Sequence, residues 1–231
     1  MHTSFQIAID GPVAAGKGTI SKLVADRLNF LYVDTGAMYR VTTLLALSAG
    51  VALTDVPKLV EITQNAEILM HNPTEDEKDG RLTTVIVNGE DVSWQIRTEK
   101  VSSQVSLVAQ LAEVRAVLVE KQKLIAQSQN VVMEGRDITY RVLPDAQFKI
   151  YLTGSDLVRA KRRHQQLLTR GEDITYEEVY RELVQRDKND IERSVDPLTI
   201  VPEAWVIDTS DLKIQQVVEL IVTKATVMLQ G

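Results

Sequence analysis

The sequence predicts an α/β protein, and three observations carry that expectation. Short apolar runs alternate with amphipathic helical stretches along most of the chain, as strands and helices do around a parallel sheet. The first run leads through a glycine-rich turn into a helix, over Phe5–Thr19 (FQIAIDGPVAAGKGT). Near the middle, an Asn88-Gly89 turn between two short strand-like runs breaks the alternation, which suits a small antiparallel patch inserted into the larger unit.

Taken in order, Phe5, Ile7, Ala8 and Ile9 form the short apolar run of a buried strand. From Lys17 onward, Ile20, Leu23, Val24 and Leu28 recur at helical spacing. Phe30–Val33 reads as a second strand, and Thr35 or Asp34 caps a helix from about Ala37 to Gly50. A further helix is expected over Val56–Glu67. Ile68–Asn72 and Leu82–Asn88 then read as strands around a polar loop, and Glu90–Ser93 pairs back after the turn. The acidic stretch Glu75–Asp79 within that loop is expected to be solvated and mobile.

Thr98 to about Gln127 carries a long helical pattern, broken once, with Val101, Val105, Val108, Leu111, Val114, Leu118 and Ile125 as its buried stripe. Asn130–Glu134 is the third core strand and Gln147–Leu152 the fourth. Ser155 or Asp156 caps a helix that holds Arg159, Lys161, Arg162 and Arg163. Gln165–Thr175 is polar, contains Gly171, and is expected to be a mobile lid. Thr175 and Glu178 spell a capping box for the next helix, whose Arg186, Asp190 and Arg193 share one face. Trp205–Ile207 is the fifth strand, Asp208–Asp211 a polar turn, and Lys213–Met228 the closing helix.

Composition narrows the chemistry. A chain of 231 residues with 44% hydrophobic and 25% charged residues can bury one sizeable core. The net charge of −6 argues against non-specific nucleic-acid binding, while leaving room for a local basic pocket. The chain has no cysteine, which excludes disulfides, thiolate metal sites and cysteine nucleophiles and fits a cytoplasmic protein. His2, His71 and His164 are scattered without metal-ligand spacing. No run is long enough for a membrane span, and no basic-then-apolar leader precedes the first strand.

The residues that carry chemistry begin with Gly11, Pro12, Val13, Ala14, Ala15, Gly16, Lys17, Gly18 and Thr19. A strand, a glycine loop and a helix in this order present backbone amides and a positive helix end to phosphate oxygens, with Lys17 reaching the terminal phosphates. The strict motif has Ser or Thr directly after the lysine, whereas here Gly18 stands there. A Mg²⁺ ion would then be held mostly by ATP phosphates and waters. Arg40 lies one helical turn past the second strand, and Arg136 and Asp137 directly follow the third. In open α/β sheets such positions line the ligand crevice. On spacing alone, Arg186, Asp190 and Arg193 equally describe an ordinary surface ion-pair ladder.

Together these residues resemble the bacterial cytidylate kinases. The resemblance runs in order through IDGPVAAGKGT, TGAMYR, VNGEDVSWQIRT, SLVAQLAEVR, EGRDI, LPDAQFKIYL, RAKRR, RDKNDIER and VIDTSDLKI. It implies a P-loop NTPase-type three-layer core with a five-stranded parallel sheet, at about 1–53, 101–163 and 195–231. A nucleotide-binding insert would cover about 54–100, and a lid with the arginine helix about 164–194. It implies transfer of the γ-phosphoryl of ATP to CMP or dCMP by a monomer. Gly11–Thr19 would grip ATP, with Arg159 and Arg163 along its adenine and phosphates. Arg40 and Arg136 would hold the CMP phosphate, and Arg186 and Asp190 would meet the ribose. Ser106, Arg115, Asp137 and Arg193 would read or fix the cytosine, with Thr35 and Tyr39 lining the same pocket. Lys17, Arg136, Arg163 and Arg186 would carry catalysis. Metal ligation would be indirect, Glu134 acting at most through a water.

Three positions depart from the family pattern: Glu134 before GRD, Thr139-Tyr140-Arg141 after GRDI, and Asp196 before Pro197-Leu198. Without the resemblance, the loop and arginines also suit another small kinase with a UMP, AMP or shikimate-type acceptor, or a non-catalytic nucleotide switch. The missing post-lysine Ser/Thr and the lack of an N-K-x-D guanine motif weigh against the switch.

Overall fold

The computed structural model describes residues 4–169 and 171–230. His2 and, within the expected lid, Arg170 lie outside the described residues.

The chain opens with β1 (Gln6–Asp10) and α1 (Lys17–Leu28), then β2 (Leu31–Asp34) and α2 (Thr35–Ser48). After α3 (Val56–Asn65) come β3 (Ile68–His71), β4 (Thr84–Val87) and β5 (Glu90–Asp91). Three helices follow where one helical stretch broken once was expected: α4 (Glu99–Ser102), α5 (Val105–Val108) and α6 (Ala112–Gln127). The chain continues through β6 (Val131–Gly135), β7 (Phe148–Thr153), α7 (Asp156–Thr169), α8 (Tyr176–Glu192), β8 (Trp205–Asp208) and α9 (Ile214–Gln230).

The main sheet has the order β2-β6-β1-β7-β8 with every pairing parallel. Alternate residues feed its two faces, as the two-residue strand period requires. Ile7 and Ile9 pack with Val24, Val218 and Ile221 on the α1/α9 face. Ala8, Val33 and Met133 pack with Met38, Leu118 and Val119 on the α2/α6 face. Each fully buried large aliphatic side chain contributes about 1.5–3 kcal/mol of transfer free energy, so both faces are strongly held. This is the expected α/β three-layer core. The expected insert is also present as an antiparallel sheet, β3-β4-β5, closed by Asn88 and Gly89 with φ of 50° and 85°.

Local chemistry sets the element ends. Asp34, rather than Thr35, caps α2 by accepting the Ala37 N–H. Thr175 and Glu178 form the expected reciprocal capping box on α8.

Four expectations are corrected. The helical stretch over 98–127 breaks twice, at Ser103–Gln104 and at Ala109–Leu111, although its apolar stripe stays buried or packed against the core. Gln165–Thr175 is not a loop throughout, because α7 continues to Thr169. Arg193 is not on the helical face, because α8 ends at Glu192 and Arg193 has an extended backbone at its C-cap. The acidic loop is solvated, as expected, but tied down: Thr74 and Glu77 form a capping box, and Asp79 accepts from Arg81 and the Trp94 indole.

Candidate active site

A cavity of about 610 Å³ opens above the carboxyl ends of β1, β2 and β6, where ligands bind in open α/β sheets. Its glycine-loop side is lined by Ala14, Ala15, Gly16, Lys17, Gly18 and Thr19. Thr35, Tyr39, Arg40, Ser106 and Arg115 also line it, as do Glu134, Arg136, Asp137, Arg163, Arg186, Asp190 and Arg193. All these positions were expected at the site. Gly11, Pro12, Val13 and Arg159 do not line the cavity.

The glycine loop is built by close backbone approach. Gly11 has φ of 152°, and a Cβ there would sit 2.0 Å from the Leu152 carbonyl oxygen, so a side chain cannot fit without moving the strand end. Gly16, in the left-handed region, turns the chain into α1, and the helix's first residues, Lys17, Gly18 and Thr19, line the cavity, where uncapped N-terminal amides favour anions. Lys17 crosses under the loop and donates to the Pro12 carbonyl at 2.8 Å. Burial, and then the charge of Arg136, push the Lys17 ammonium down to about 7.

Arg159 has a different place from the one expected along ATP. Its guanidinium is buried and donates to Gly154 O, Val13 O, Asp187 and Asp156 at 2.9, 2.7, 2.6 and 2.6 Å. Asp187 also accepts the Val13 N–H at 3.0 Å. Arg159 and Asp187 therefore brace the loop from behind. Arg162, from the same RAKRR run, does line the cavity and is anchored to Thr209 through its hydroxyl and carbonyl at 2.9 and 2.6 Å.

The remaining wall is made of long cationic side chains with matching carboxylates. Arg136 donates to Asp190 at 2.7 Å and to the Gly135 carbonyl. Burial works to lower the Arg136 pKa, but Asp190 and Glu134 more than offset it and hold it up. Arg186 lies on the exposed rim. The low-dielectric cleft, and then repulsion from Arg136, Arg40 and Arg163, push it down to about 10. Solvent at the rim offsets part of the desolvation, so the repulsion is the component an anionic ligand would relieve. Arg40 donates to Ile96 O and Ser102 Oγ at 3.2 and 2.7 Å, which ties α2 to the segment after the inserted sheet.

At Asp137 two arginines meet. Arg115 Nη2 donates to Asp137 Oδ2 at 2.5 Å, and Arg193 Nη2 lies 3.7 Å from Oδ1. Arg115 stacks over the Tyr39 ring at 5.5 Å. Burial pushes the Asp137 carboxyl up from its ordinary range, against the pull of Arg115 and Arg193.

Two carboxylates stand beside the loop where a cation could act. Glu134 is buried, accepts from Tyr32 Oη at 3.0 Å, and is pushed up by burial and then by the charge of Asp34. A Cβ on Gly18 would meet Glu134 Oε1 at 3.2 Å, so this carboxylate fills the space next to the missing post-lysine hydroxyl. Among the described residues no group of three or more His, Cys, Asp or Glu could hold a metal ion. Hard oxygen donors beside a phosphate loop suit Mg²⁺ bound chiefly through phosphates and waters.

Sequence reasoning missed Asp10, Arg97, Arg162 and Asp187. Asp10, fully buried at the end of β1, accepts from Ile138 N, Thr139 N and Thr139 Oγ1 at 3.0, 2.8 and 2.7 Å. It fixes the turn that carries Arg136 and Asp137. Arg97 lines the cavity and pairs with Asp34 at 3.3 Å. The IRT triplet contained the signal for Arg97. Asp10 and Asp187 left none, because each acts through distant backbone.

Residues 7–227 match the cytidylate kinase family. The chain is 46% identical to a cytidylate kinase of Caldanaerobacter subterraneus subsp. tengcongensis, over 95% of this chain and 93% of the relative. It is 44% identical to a cytidylate kinase of Bacillus subtilis, over 96% of each. It is also similar in fold to an uncharacterized protein from Eubacterium ventriosum, with a TM-score of 0.52 at 10% identity, over 96% of this chain and 98% of that one.

Proposed function

The chain belongs to the cytidylate kinase family, and on that premise we propose that it transfers the γ-phosphoryl group of ATP to CMP or dCMP. The observation that carries this reading is one shared cavity: Lys17 on the phosphate loop faces the same space as Arg136, Arg186 and the Asp137 cluster.

The acceptor is a phosphate monoester, already largely dianionic near neutral pH, so no strong general base is required. An oxygen of the CMP phosphate attacks the γ-phosphorus, and the bond from that phosphorus to the β–γ bridging oxygen breaks. The products are CDP and ADP. The barrier is mutual repulsion, so the protein's work is positioning and charge stabilisation. Gly11–Thr19 hold ATP phosphates through amides, and Lys17 stabilises charge on the transferring group. Arg40 and Arg136 grip the acceptor phosphate, the guanidinium fork matching paired oxygens. Arg163 and Arg186 stand over the reacting phosphates and Asp190 meets the ribose. Arg159 serves the loop as a brace, and Arg162 takes a place near the donor.

Mg²⁺ carried by ATP supplies further charge neutralisation when bound. Glu134 and Asp34 would face it through water.

Base choice follows from hydrogen-bond pattern. The cytosine amino group is a donor that the Asp137 carboxylate accepts. Uracil places an oxygen there instead, and the buried carboxylate is left facing an acceptor. Ser106, Thr35 and Tyr39 complete the acceptor pocket. We assign residues 54–100 to the acceptor side and about 164–194 to a closing element that excludes water. The enzyme acts as a monomer in the cytoplasm. Among the described residues no helix is long and apolar enough to cross a membrane.

The test is ADP release measured over CMP, dCMP, UMP and AMP with ATP–Mg²⁺. CMP and dCMP are expected to exceed UMP and AMP in kcat/KM by about tenfold or more. Equal use of UMP, or no use of CMP, would overturn the assignment.

A further inference from the structure

Behind the cavity wall, Asp196 occupies a position that the reaction as described does not use. It lies in the turn after α8, does not line the cavity, and has φ of 47°, in the left-handed region. Its carboxylate accepts from Arg115 Nε at 2.9 Å and lies 3.4 Å from Arg141 Nε. Its carbonyl accepts from Arg193 Nε at 2.6 Å and also from Arg193 Nη2. Arg115 and Arg193 are the two arginines that meet Asp137. Tyr140 Oη donates to the neighbouring Pro197 carbonyl at 2.6 Å, and the Leu198 N–H donates to Asp190 O at 2.8 Å. The turn is thereby fastened both to the segment after Asp137 and to the end of α8.

We propose that Asp196 is a positioning residue for recognition of the acceptor base. It holds Arg115 and Arg193 in place from behind, so that Asp137 is free to turn a lone pair toward the ligand. The reasoning is one of charge balance. The Arg115 side chain is 2% exposed, and a buried guanidinium must keep a carboxylate partner. If Asp137 were that only partner, drawing it toward a ligand amino group would strip Arg115 of its balance. With Asp196 on Nε and Asp137 on Nη2, Arg115 keeps one carboxylate while the other engages the ligand. Arg115 and Arg193 are matched by Asp137 and Asp196, with the half-exposed Arg141 on the outer side of Asp196, so this corner of the cavity presents hydrogen-bond direction to a ligand. The left-handed backbone at Asp196 aims the carboxylate and the carbonyl at different arginines, and Asp and Asn are the side chains that tolerate it best.

This inference rests on the assignment of CMP as acceptor, and the experiment separates the two. Steady-state kinetics with CMP and with UMP are measured for the wild type, Asp196→Asn, Asp196→Ser and Arg141→Val, together with thermal midpoints. Asp196→Asn keeps the backbone preference and an acceptor oxygen but loses the charge. It is expected to raise KM for CMP about tenfold, the scale of one charged hydrogen bond. It should leave kcat and the KM for ATP within about twofold and leave UMP kinetics nearly unchanged, so CMP/UMP selectivity narrows. Asp196→Ser should do the same or more. Arg141→Val, which removes a half-exposed partner, should change KM by less than about twofold. A wild type without CMP preference sinks the acceptor assignment and this inference with it. A CMP-selective wild type whose Asp196→Asn form has unchanged KM and selectivity sinks this inference alone. So does a larger effect from Arg141→Val, or an equal loss on both bases.

Discussion

The two walls of the cavity are built in opposite ways. The wall we assign to the donor is backbone: a glycine turn pressed against the end of β7, the first turn of α1 and one lysine folded under the loop. The wall we assign to the acceptor is side chains, with Arg40, Arg115, Arg136, Arg186 and Arg193 converging on it, several already paired with Asp137, Asp190 or Asp196. A backbone wall has no slack, so its failures are steric and near complete. A side-chain wall is redundant, so its failures are graded and depend on the ligand.

The largest expected effect tests the lysine of the glycine loop. Lys17→Ala is expected to lower kcat about 10³-fold, the scale for losing a cation on a transferring phosphoryl group, with circular dichroism unchanged. Activity near wild type would mean that the loop does not carry the donor. Next comes Gly11→Ala. Its Cβ would lie 2.0 Å from Leu152 O, so the loop must shift. A displacement of this kind costs about 10²-fold in kcat/KM for every acceptor alike. Selective loss with one acceptor would contradict the division into two walls.

The acceptor wall should answer differently. Asp137→Ala is expected to lower kcat/KM for CMP by about ten- to a hundredfold, since a charged hydrogen bond is lost and two buried arginines lose a partner. It should lower that for UMP far less. Parallel losses on CMP and UMP would show that Asp137 shapes the pocket without reading the base.

The same division explains what could be read in the sequence. The donor wall is contiguous, and residues 11–19 announce it together with the flanking strand and helix. The arginines of the acceptor wall were nameable individually, but spacing alone did not bring them together; only the family resemblance did. The residues that hold them act at long range: Asp10 on Thr139 across 129 positions, Asp187 on Val13 across 174, and Asp196 on Arg115 across 81. No periodicity connects such pairs. Arg159 shows the same limit, because its position one turn into a helix past β7 suits a ligand as well as a brace, and only the acceptors around it decide. One break between α4 and α6 was expected; the second was hidden because the apolar stripe continues at helical spacing on both sides of it. The alternating core and the inserted sheet were readable because two-residue and helical periods, with one Asn-Gly turn, are local signals.

The smallest effect is the uptake of about one proton, and it probes Lys17 beneath the glycine loop. Burial and then Arg136 lower Lys17 from its ordinary 10.5 to about 7. With the folded value depressed, the unfolded chain binds more protons between pH 7 and 10.5, so this group's contribution to stability rises with pH across that window. A bound polyphosphate places negative charge beside the amine and must raise its pKa. Binding at pH 8, where the nucleotide itself is fully ionised, therefore takes up a proton, and affinity falls as pH rises above 7. Calorimetry of ADP binding at pH 8, in buffers of different ionisation enthalpy, should show uptake approaching one proton in the wild type and none in Lys17→Met. Equal uptake in both would place the titrating group elsewhere, on the arginine-lined wall or on the ligand, and the contrast between a wall that titrates and a wall that is permanently charged would be lost.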